Sequence, residues 1–530
     1  MVSLLQGASI KKMDSHILIN LCKYGDYLLI SMIHIKVSGR VKRMELTDYM
    51  IHKSIKKNYI YNLMYQILIL ITPLITTPYL SRVLGADGIG TYSYIDSVSS
   101  YFVLFATLGL TTLGQRETSY VQDNREKRTI IFWEIFIIEL IACLLCTIAY
   151  IIFSLKQGSN ANLYLVLVFN MLAVLVNISW LYQGMEEFGQ IVFKNTVFKI
   201  IGIVYVFVFV KLKDDLILYL FGISFFLFLG NLSLWLNLPR YVDRPSFRYL
   251  HPSKHLKAVI SLFIPTIAIQ IYTVLDKTMI GLITNSSFEN GYYEQAIKIY
   301  RMVLTLVTSL GIVMIPRVGF FYNKGDTEAV QKYMYRGYQF VWFLGIPLSF
   351  GLLAISSNFV PWFFGDGYAK VASLISIFSF LILVVGISNV TGVQYLIPTK
   401  RQHIFSFTVI VGALINLILN LFLIRILQSY GAAIASVIAE TVITATQLYI
   451  VRKELSPLVI IKSGYHYFIA GGIMLFALLA IRSILTPSIL HTLILIFSGA
   501  GVYFLILFVM KDEFFISNLR NILIKFINRR

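Results

Sequence analysis

The sequence predicts an all-α polytopic membrane protein with about 14 transmembrane helices, arranged as two six-helix lobes followed by two C-terminal helices. Three observations carry this reading. The 530 residues are 57% hydrophobic and only 13% charged, whereas soluble domains run about 45–50% apolar and about 25% charged. The mean hydropathy is +0.76, so a soluble globule would have nowhere to bury its apolar surface. The apolar residues also come in runs of about 20, the length of a helix that crosses a bilayer. Barrel strands are shorter and alternate in polarity, and in lipid only helices or closed barrels satisfy the backbone.

The runs fall at 58–80, 90–113, 130–153, 162–182, 191–210, 216–236, 257–283, 292–315, 338–355, 371–397, 404–424, 431–450, 465–485 and 488–510. Little chain is left for a soluble domain, which excludes a soluble enzyme and a disordered scaffold. The net charge of +19 would suggest nucleic acid in a soluble chain; here no nucleic-acid partner is expected. Residues 1–50 read as an N-terminal extension with no clean signal-peptide core. Met44 and Met50 stand just before the basic flank Lys53, Lys56 and Lys57, so residues 1–43 are expected to be an over-called start or a dispensable extension. Residues 51–254 then form an N-lobe (spans 1–6), 255–455 a C-lobe (spans 7–12), and 456–530 two further spans with a basic tail.

The charge sets an orientation. Alternate loops carry Arg116, Arg125, Lys127 and Arg128; Arg240, Arg244, Arg248, Lys254 and Lys257; Arg317, Lys324, Lys332 and Arg336; Lys400 and Arg401; and Arg452, Lys453 and Lys462. With Lys194 and the tail this set holds about 24 basic residues, against about 7 on the opposite set. The positive-inside rule places the rich set and both termini in the cytosol. The partner common to every span is the lipid bilayer itself.

An internal repeat supports two lobes. Gly90-Thr91-Tyr92 returns about 201 residues later as Gly291-Tyr292-Tyr293, Leu108-Gly109 as Leu310-Gly311, and Gln115-Arg116 as Pro316-Arg317. Six spans return the chain to its starting side, so the lobes share one orientation, as in alternating-access transporters with a site between their halves.

Charges inside the spans mark that site, because an ionised group near the bilayer centre costs about 2.5–3.5 kcal/mol unless it faces a cavity or partner. Glu294, Lys298 and Arg301 lie on one helical face, with a net positive charge after pairing. Ser93, Ser97 and Ser100, with Asp96 beside them, occupy the corresponding stretch of the second span. Asp276 and Lys277 are sequence neighbours, so their side chains diverge by about 100° and do not simply neutralise each other. Lys277, Lys298, Arg301 and Arg82 are the candidate cations for an anionic substrate. Asp96, Asp276, Glu294 and Glu440 are the candidate carriers of a coupling ion. An internal salt-bridge stripe is the bland alternative for the Glu294 group. Asn58, Asn62 and Gln66 form an amide stripe that suits helix–helix contact as well as substrate.

Gly85 to Gly90 reads as a turn and not a phosphate loop, because no strand precedes it. Cys143 and Cys146 sit in an apolar run, and the histidines lack metal-ligand spacing; no metal, cofactor or catalytic residue is expected.

The stretch from Lys57 to Arg116 resembles the start of Wzx-type oligosaccharide flippases, which move O-antigen and capsule repeat units. Its most specific parts are Pro78-Tyr79-Leu80-Ser81-Arg82-Val83-Leu84-Gly85, then Gly88-Ile89-Gly90 and Tyr92. LDKTMIG at 275–281, GYYEQAIKI at 291–299 and PTKRQ at 398–402 fit the same pattern. The resemblance implies the multidrug/oligosaccharidyl-lipid/polysaccharide exporter superfamily and a V-shaped MATE-like core. It also implies a non-enzymatic flippase, working by alternating access on undecaprenyl-pyrophosphate-linked oligosaccharide in the bacterial cytoplasmic membrane. Glycosyltransferases and a polysaccharide polymerase of the same pathway are the implied partners. A multidrug or cation antiporter of the same superfamily, and a membrane-embedded polymerase, are the alternatives.

Overall fold

A computed structural model describes the backbone of residues 40–244 and 247–527. By its contacts the chain divides into two units at Ile60 and Tyr61; the second holds all the candidate site residues. The expected extension over 1–50 lies mostly outside the described residues, as do the side chains of Asn58, Asn62 and Gln66.

No strand occurs among the described residues, and all fourteen apolar runs fall on helical segments. Eleven segments of the described residues are long and apolar enough to cross a membrane. The first of them, Ile67–Ser119, covers two expected spans at once. The helix Ser287–Thr308 is not among them, because Glu289, Glu294, Lys298 and Arg301 interrupt its apolar surface. Large side chains such as Phe193, Ile426, Phe476 and Phe497 lie exposed, as a lipid-facing surface requires.

Helix α1 (Arg40–Thr107) contains Pro73 and Pro78 and breaks at Gly85, whose backbone (φ 69°, ψ 177°) is non-helical. The expected turn over 85–90 is thus one residue, with helix on both sides. Only glycine enters that region without strain. After Leu108 and Gly109, both with positive φ, come α2 (Leu110–Ser119) and α3 (Arg125–Leu155). The run at 162–182, expected as one span, falls within one span-length segment, Gly158–Gly184, whose helix is interrupted into α4 (Ala161–Val166), α5 (Val168–Leu175) and α6 (Ser179–Gly184). Asn177 supplies the local reason at the last break, accepting the Ser179 amide on its side chain (3.1 Å) in competition with the helical bond. Helices α7 (Phe188–Phe209) and α8 (Leu216–Leu234) complete the first half.

The linker between the halves is fastened to α3. Arg125 pairs with Asp243 (2.7 Å). Fully buried Glu134 accepts from Lys254 (2.7 Å), His255 (3.0 Å) and the His251 amide (2.8 Å).

The second half runs α9 (Leu256–Thr284), α10 (Ser287–Thr308), α11 (Gly311–Asn323), α12 (Thr327–Phe364) and α13 (Ala369–Ser388). A π-helical turn, Asn389–Leu396, separates α13 from α14 (Gln402–Leu427) and α15 (Ser429–Val451). Helix α12 far exceeds the expected 338–355, because Asp326 caps its start, accepting the Ala329 amide (2.9 Å). The chain ends with α16 (Pro457–Lys462), α17 (Tyr465–Arg482), α18 (Ile489–Val509) and α19 (Glu513–Ile527).

One apolar core joins α10, α12 and α13 to α17 and α18 through Tyr467, Leu478, Leu495 and Tyr503. The first half has three smaller clusters, centred on Phe132 and Trp180, on Tyr150 and Met171, and on Leu84 and Ile89. The last two spans therefore belong physically to the second half. Tyr503 donates to the Phe343 carbonyl (2.9 Å), and Asn358 to that of Thr486 (3.0 Å).

Candidate functional site

The two halves meet where α1, beyond Gly85, crosses α10, and the crossing follows the sequence repeat. A Cβ on Gly90 would lie 1.6 Å from the Ser287 carbonyl oxygen. A Cβ on Gly291 would lie 2.0 Å from that of Ala86. Positions 86 and 287, like 90 and 291, are related by the repeat, so the two contacts are reciprocal. Such reciprocity is the mark of a two-fold relation between packed elements, and glycine at both places lets the backbones touch.

The crossing is laced with polar bonds. Ser287 donates to Asp87. Gln295 donates to Ser81 (2.9 Å), and Tyr368 to the Ser81 carbonyl (3.1 Å). Ser97 and Tyr101 both engage Thr278 (3.0 and 3.1 Å).

Along α10, one turn beyond Gly291, lies Glu294. Ser93, its repeat partner 201 residues earlier, donates to Oε2 (3.1 Å). Lys277 Nζ from α9 is 2.5 Å from Oε2, and Lys298 Nζ is 3.2 Å from Oε1. Lys298 also stands over the Tyr92 ring, 5.9 Å from its centroid. Asp96 lies within electrostatic range of Glu294 and both lysines. Arg301, one turn further, is exposed, donates to the Thr273 carbonyl at 3.4 Å and lies within electrostatic range of Glu294. Three cations against two carboxylates leave this group one positive charge in excess. Glu294, itself buried, has three donors around its two oxygens, where a charge-assisted bond is strong.

The structure thus gathers Lys277, Lys298, Arg301, Glu294 and Asp96, and separates the rest. Asp276 turns away from its neighbour Lys277, as the helical geometry predicts. It is buried and accepts from Asn420 (2.6 Å), Ser436 (2.6 Å) and Tyr293, tying α9 to α10, α14 and α15. Arg82 is at the junction but away from the lysines, bonded to the carbonyls of Pro78 (3.1 Å) and Trp362. Glu440 is half-buried on α15, within electrostatic range of Tyr300.

Two polar features were not singled out from the sequence. Lys370 on α13 binds Glu289 (2.6 Å), which also accepts from the Ser429 hydroxyl (2.6 Å). Lys199 lies midway along α7; a lysine at the middle of an apolar run, five residues after Lys194, was itself the available signal.

A family model described as "Polysaccharide biosynthesis protein" matches residues 55–320. The chain belongs to that family. Among curated relatives, the "Putative O-antigen transporter" of Escherichia coli (strain K12) is 24% identical over 407 residues, covering 76% of this chain and 97% of that protein. The "Lipid II flippase MurJ" of Bacillus subtilis (strain 168) is 24% identical over 185 residues, 32% of this chain and 30% of that protein. These names are of transporters, not enzymes.

Among solved structures, "Lipid II flippase MurJ, inward closed conformation" superposes with a TM-score of 0.69 at 16% identity, covering 86% of this chain and 99% of that one. An outward-facing multidrug resistance MATE family transporter of the MOP superfamily gives 0.52 at 14% identity, covering 80% and 96%. The fold is therefore the all-α, MATE-like exporter fold.

Proposed function

We propose that the protein is a flippase that carries undecaprenyl-pyrophosphate-linked oligosaccharide repeat units from the cytosolic to the outer leaflet of the bacterial cytoplasmic membrane by alternating access. The names of its relatives and the excess positive charge at the crossing both support this reading. On the orientation set by the basic loops, the crossing of α1 and α10 is the outer closure, both termini are cytosolic, and the substrate enters from the cytosol.

The observation that carries the mechanism is the position of Glu294. Its carboxylate occupies Lys277 and Lys298 as an anion would, while holding Ser93 of the other half. An entering pyrophosphate offers more charge and more acceptor oxygens than a carboxylate, and competes for the same lysines. Glu294 then loses its cations, and with them the geometry that binds Ser93. Loading at the centre thereby loosens the outer closure, which is the differential interaction that alternating access needs. Asp96, beside the cluster, stands where it senses the same exchange of charge. Arg301 extends the cationic face, and Arg82 fastens the closure itself.

The test is a deletion strain carrying Lys277→Gln with Lys298→Gln. Surface polysaccharide is expected to be lost while membrane abundance stays normal and lipid-linked repeat units accumulate inside. Full surface polysaccharide in that strain overturns the assignment. A drug-susceptibility change without accumulation of repeat units favours the antiporter reading instead.

A further inference from the structure

Helix α7 has two unlike faces. Phe193, Val197, Ile200, Val204 and Val208 are exposed and lie within a narrow arc at 100° per residue. Asn195, Lys199, Gly202 and Val206 fall on the opposite arc, which lines a half-open cavity of about 330 Å³ bordered by α8 and by α1 before Gly85. Lys199 is eleven residues into the 22-residue helix Phe188–Phe209, close to the middle of the span, where a charge is costly unless it has a partner or a ligand.

Its surroundings offer acceptors but no counter-ion. Thr72 and Thr76 of α1 line the cavity, with their hydroxyl protons already given to the carbonyls of Leu68 (2.7 Å) and Thr72 (3.0 Å). Among the described residues, Lys199 has no carboxylate within ion-pair distance, in contrast to Lys277, Lys298 and Lys370. Asn195, one turn earlier on the same face, has no hydrogen-bond partner for its amide among the described residues. Gly230 opposite keeps the space open, since a Cβ there would already touch Asn195 Oδ1 at 3.4 Å. The remaining wall is aliphatic and aromatic.

We infer that this cavity is a second anion subsite, which takes the phosphate end of a polyprenyl-phosphate-type lipid, with Lys199 and Asn195 as donors and the apolar wall receiving the first isoprene carbons. The cavity's chemistry is one-sided: a cation and an amide among apolar groups suit a small anion joined to a hydrocarbon, and suit neither a free sugar nor a cationic drug. The cavity also adjoins the central cluster. Tyr219 lines it and packs edge-on against Tyr92 at 5.2 Å, and Tyr92 lies beneath Lys298. An anion at Lys199 is therefore one aromatic pair from the Lys277–Lys298 pair. The identity of the lipid rests on the proposed function; the anion subsite rests on Lys199.

The experiment measures binding to the purified full chain in lipid nanodiscs, with a polyprenyl phosphate, the matching neutral polyprenol and inorganic phosphate as probes. Lys199→Gln is expected to weaken polyprenyl phosphate binding about tenfold, the scale of one charge-assisted hydrogen bond, with polyprenol unchanged. Lys199→Arg keeps the charge and is expected to bind as the parent does, which separates charge from packing. Equal affinity in the parent and Lys199→Gln overturns the subsite while leaving the flippase reading standing. Inorganic phosphate that binds as tightly as the polyprenyl phosphate overturns the lipid assignment. No polyprenyl phosphate binding by the parent overturns the substrate reading and the inference together.

Discussion

The two halves differ in how they hold charge within their spans: both pair a buried acid, as Glu134 shows in the first, but only the first carries a half-buried lysine with no carboxylate beside it among the described residues. In the second half two core acids are held by several donors: Asp276 has Asn420, Ser436 and Tyr293, and Glu289 has Lys370 and Ser429. These knots tie α9, α10 and α13 to α14 and α15, over the largest apolar cluster of the molecule. The first half divides its core into three smaller clusters and leaves Lys199 without a carboxylate partner among the described residues. The comparison teaches a division of labour. The second half knits its core acids Asp276 and Glu289 into cross-helix knots, and the first half leaves Lys199 facing a cavity.

The harshest way to break this comparison is at the contact between the halves. Gly291→Val puts branched carbon where the Ala86 carbonyl already lies within 2.0 Å of an added Cβ. The closure is expected to fail at a cost of about 3 kcal/mol or more. An Asp87→Cys, Ser287→Cys pair, which should cross-link readily in the parent, would then no longer do so. Efficient cross-linking in the Gly291→Val background contradicts the crossing as described.

Asp276→Ala strikes one of the second half's knots. It leaves three donors without their acceptor, each loss worth about 1–3 kcal/mol. A thermal unfolding measurement in detergent is expected to show a fall of at least 3 kcal/mol. Lys199→Gln in the same assay is expected to change stability little or raise it, since it removes a half-buried charge with no carboxylate beside it among the described residues. A large fall for Lys199→Gln erases the contrast between the halves.

Glu294→Gln sharpens it. Lys277 and Lys298 lose their internal anion, so polyprenyl phosphate is expected to bind several-fold tighter, the worth of about 1 kcal/mol. Translocation slows, because release is now harder. Weaker binding in Glu294→Gln contradicts the competition on which the proposed mechanism depends.

The smallest effect lies outside the spans. Burial raises the Glu454 carboxyl, but hydrogen bonds from Arg401 and Tyr395 outweigh it and hold its pKa below the usual glutamate value. A carboxylate lowered on folding stabilises the fold above its unfolded pKa, near 4.3, and that contribution disappears as pH falls through the folded value. The pair is partly exposed, so its worth is about 0.5 kcal/mol. Arg401→Gln is expected to remove that fraction of the acid-range loss of stability, read from unfolding midpoints at pH 7 and pH 4.

Much of this was legible in the sequence. Runs of apolar residues dictated helices, because the bilayer leaves the backbone no other partner. The 201-residue spacing put Gly90 and Gly291 in correspondence, and the i, i+4 spacing of Glu294 and Lys298 put their charges on one face. Sequence could not say that Gly90 and Gly291 would touch across the crossing, that Glu294 would find Lys277 and Ser93, or that Asp276 would be sealed by Asn420 and Ser436. Periodicity fixes which way a side chain leaves its own helix, but not which helix stands opposite. The run at 162–182 shows the same limit: composition made it span-like, and Asn177 with its neighbours broke it into pieces. Composition and spacing by themselves determined a polytopic helical membrane protein with charged groups inside its spans. Only the packing of one half against the other decided which cations are neutralised and which remain open to a ligand, because neutralisation requires contact over a few ångströms between residues far apart in the chain.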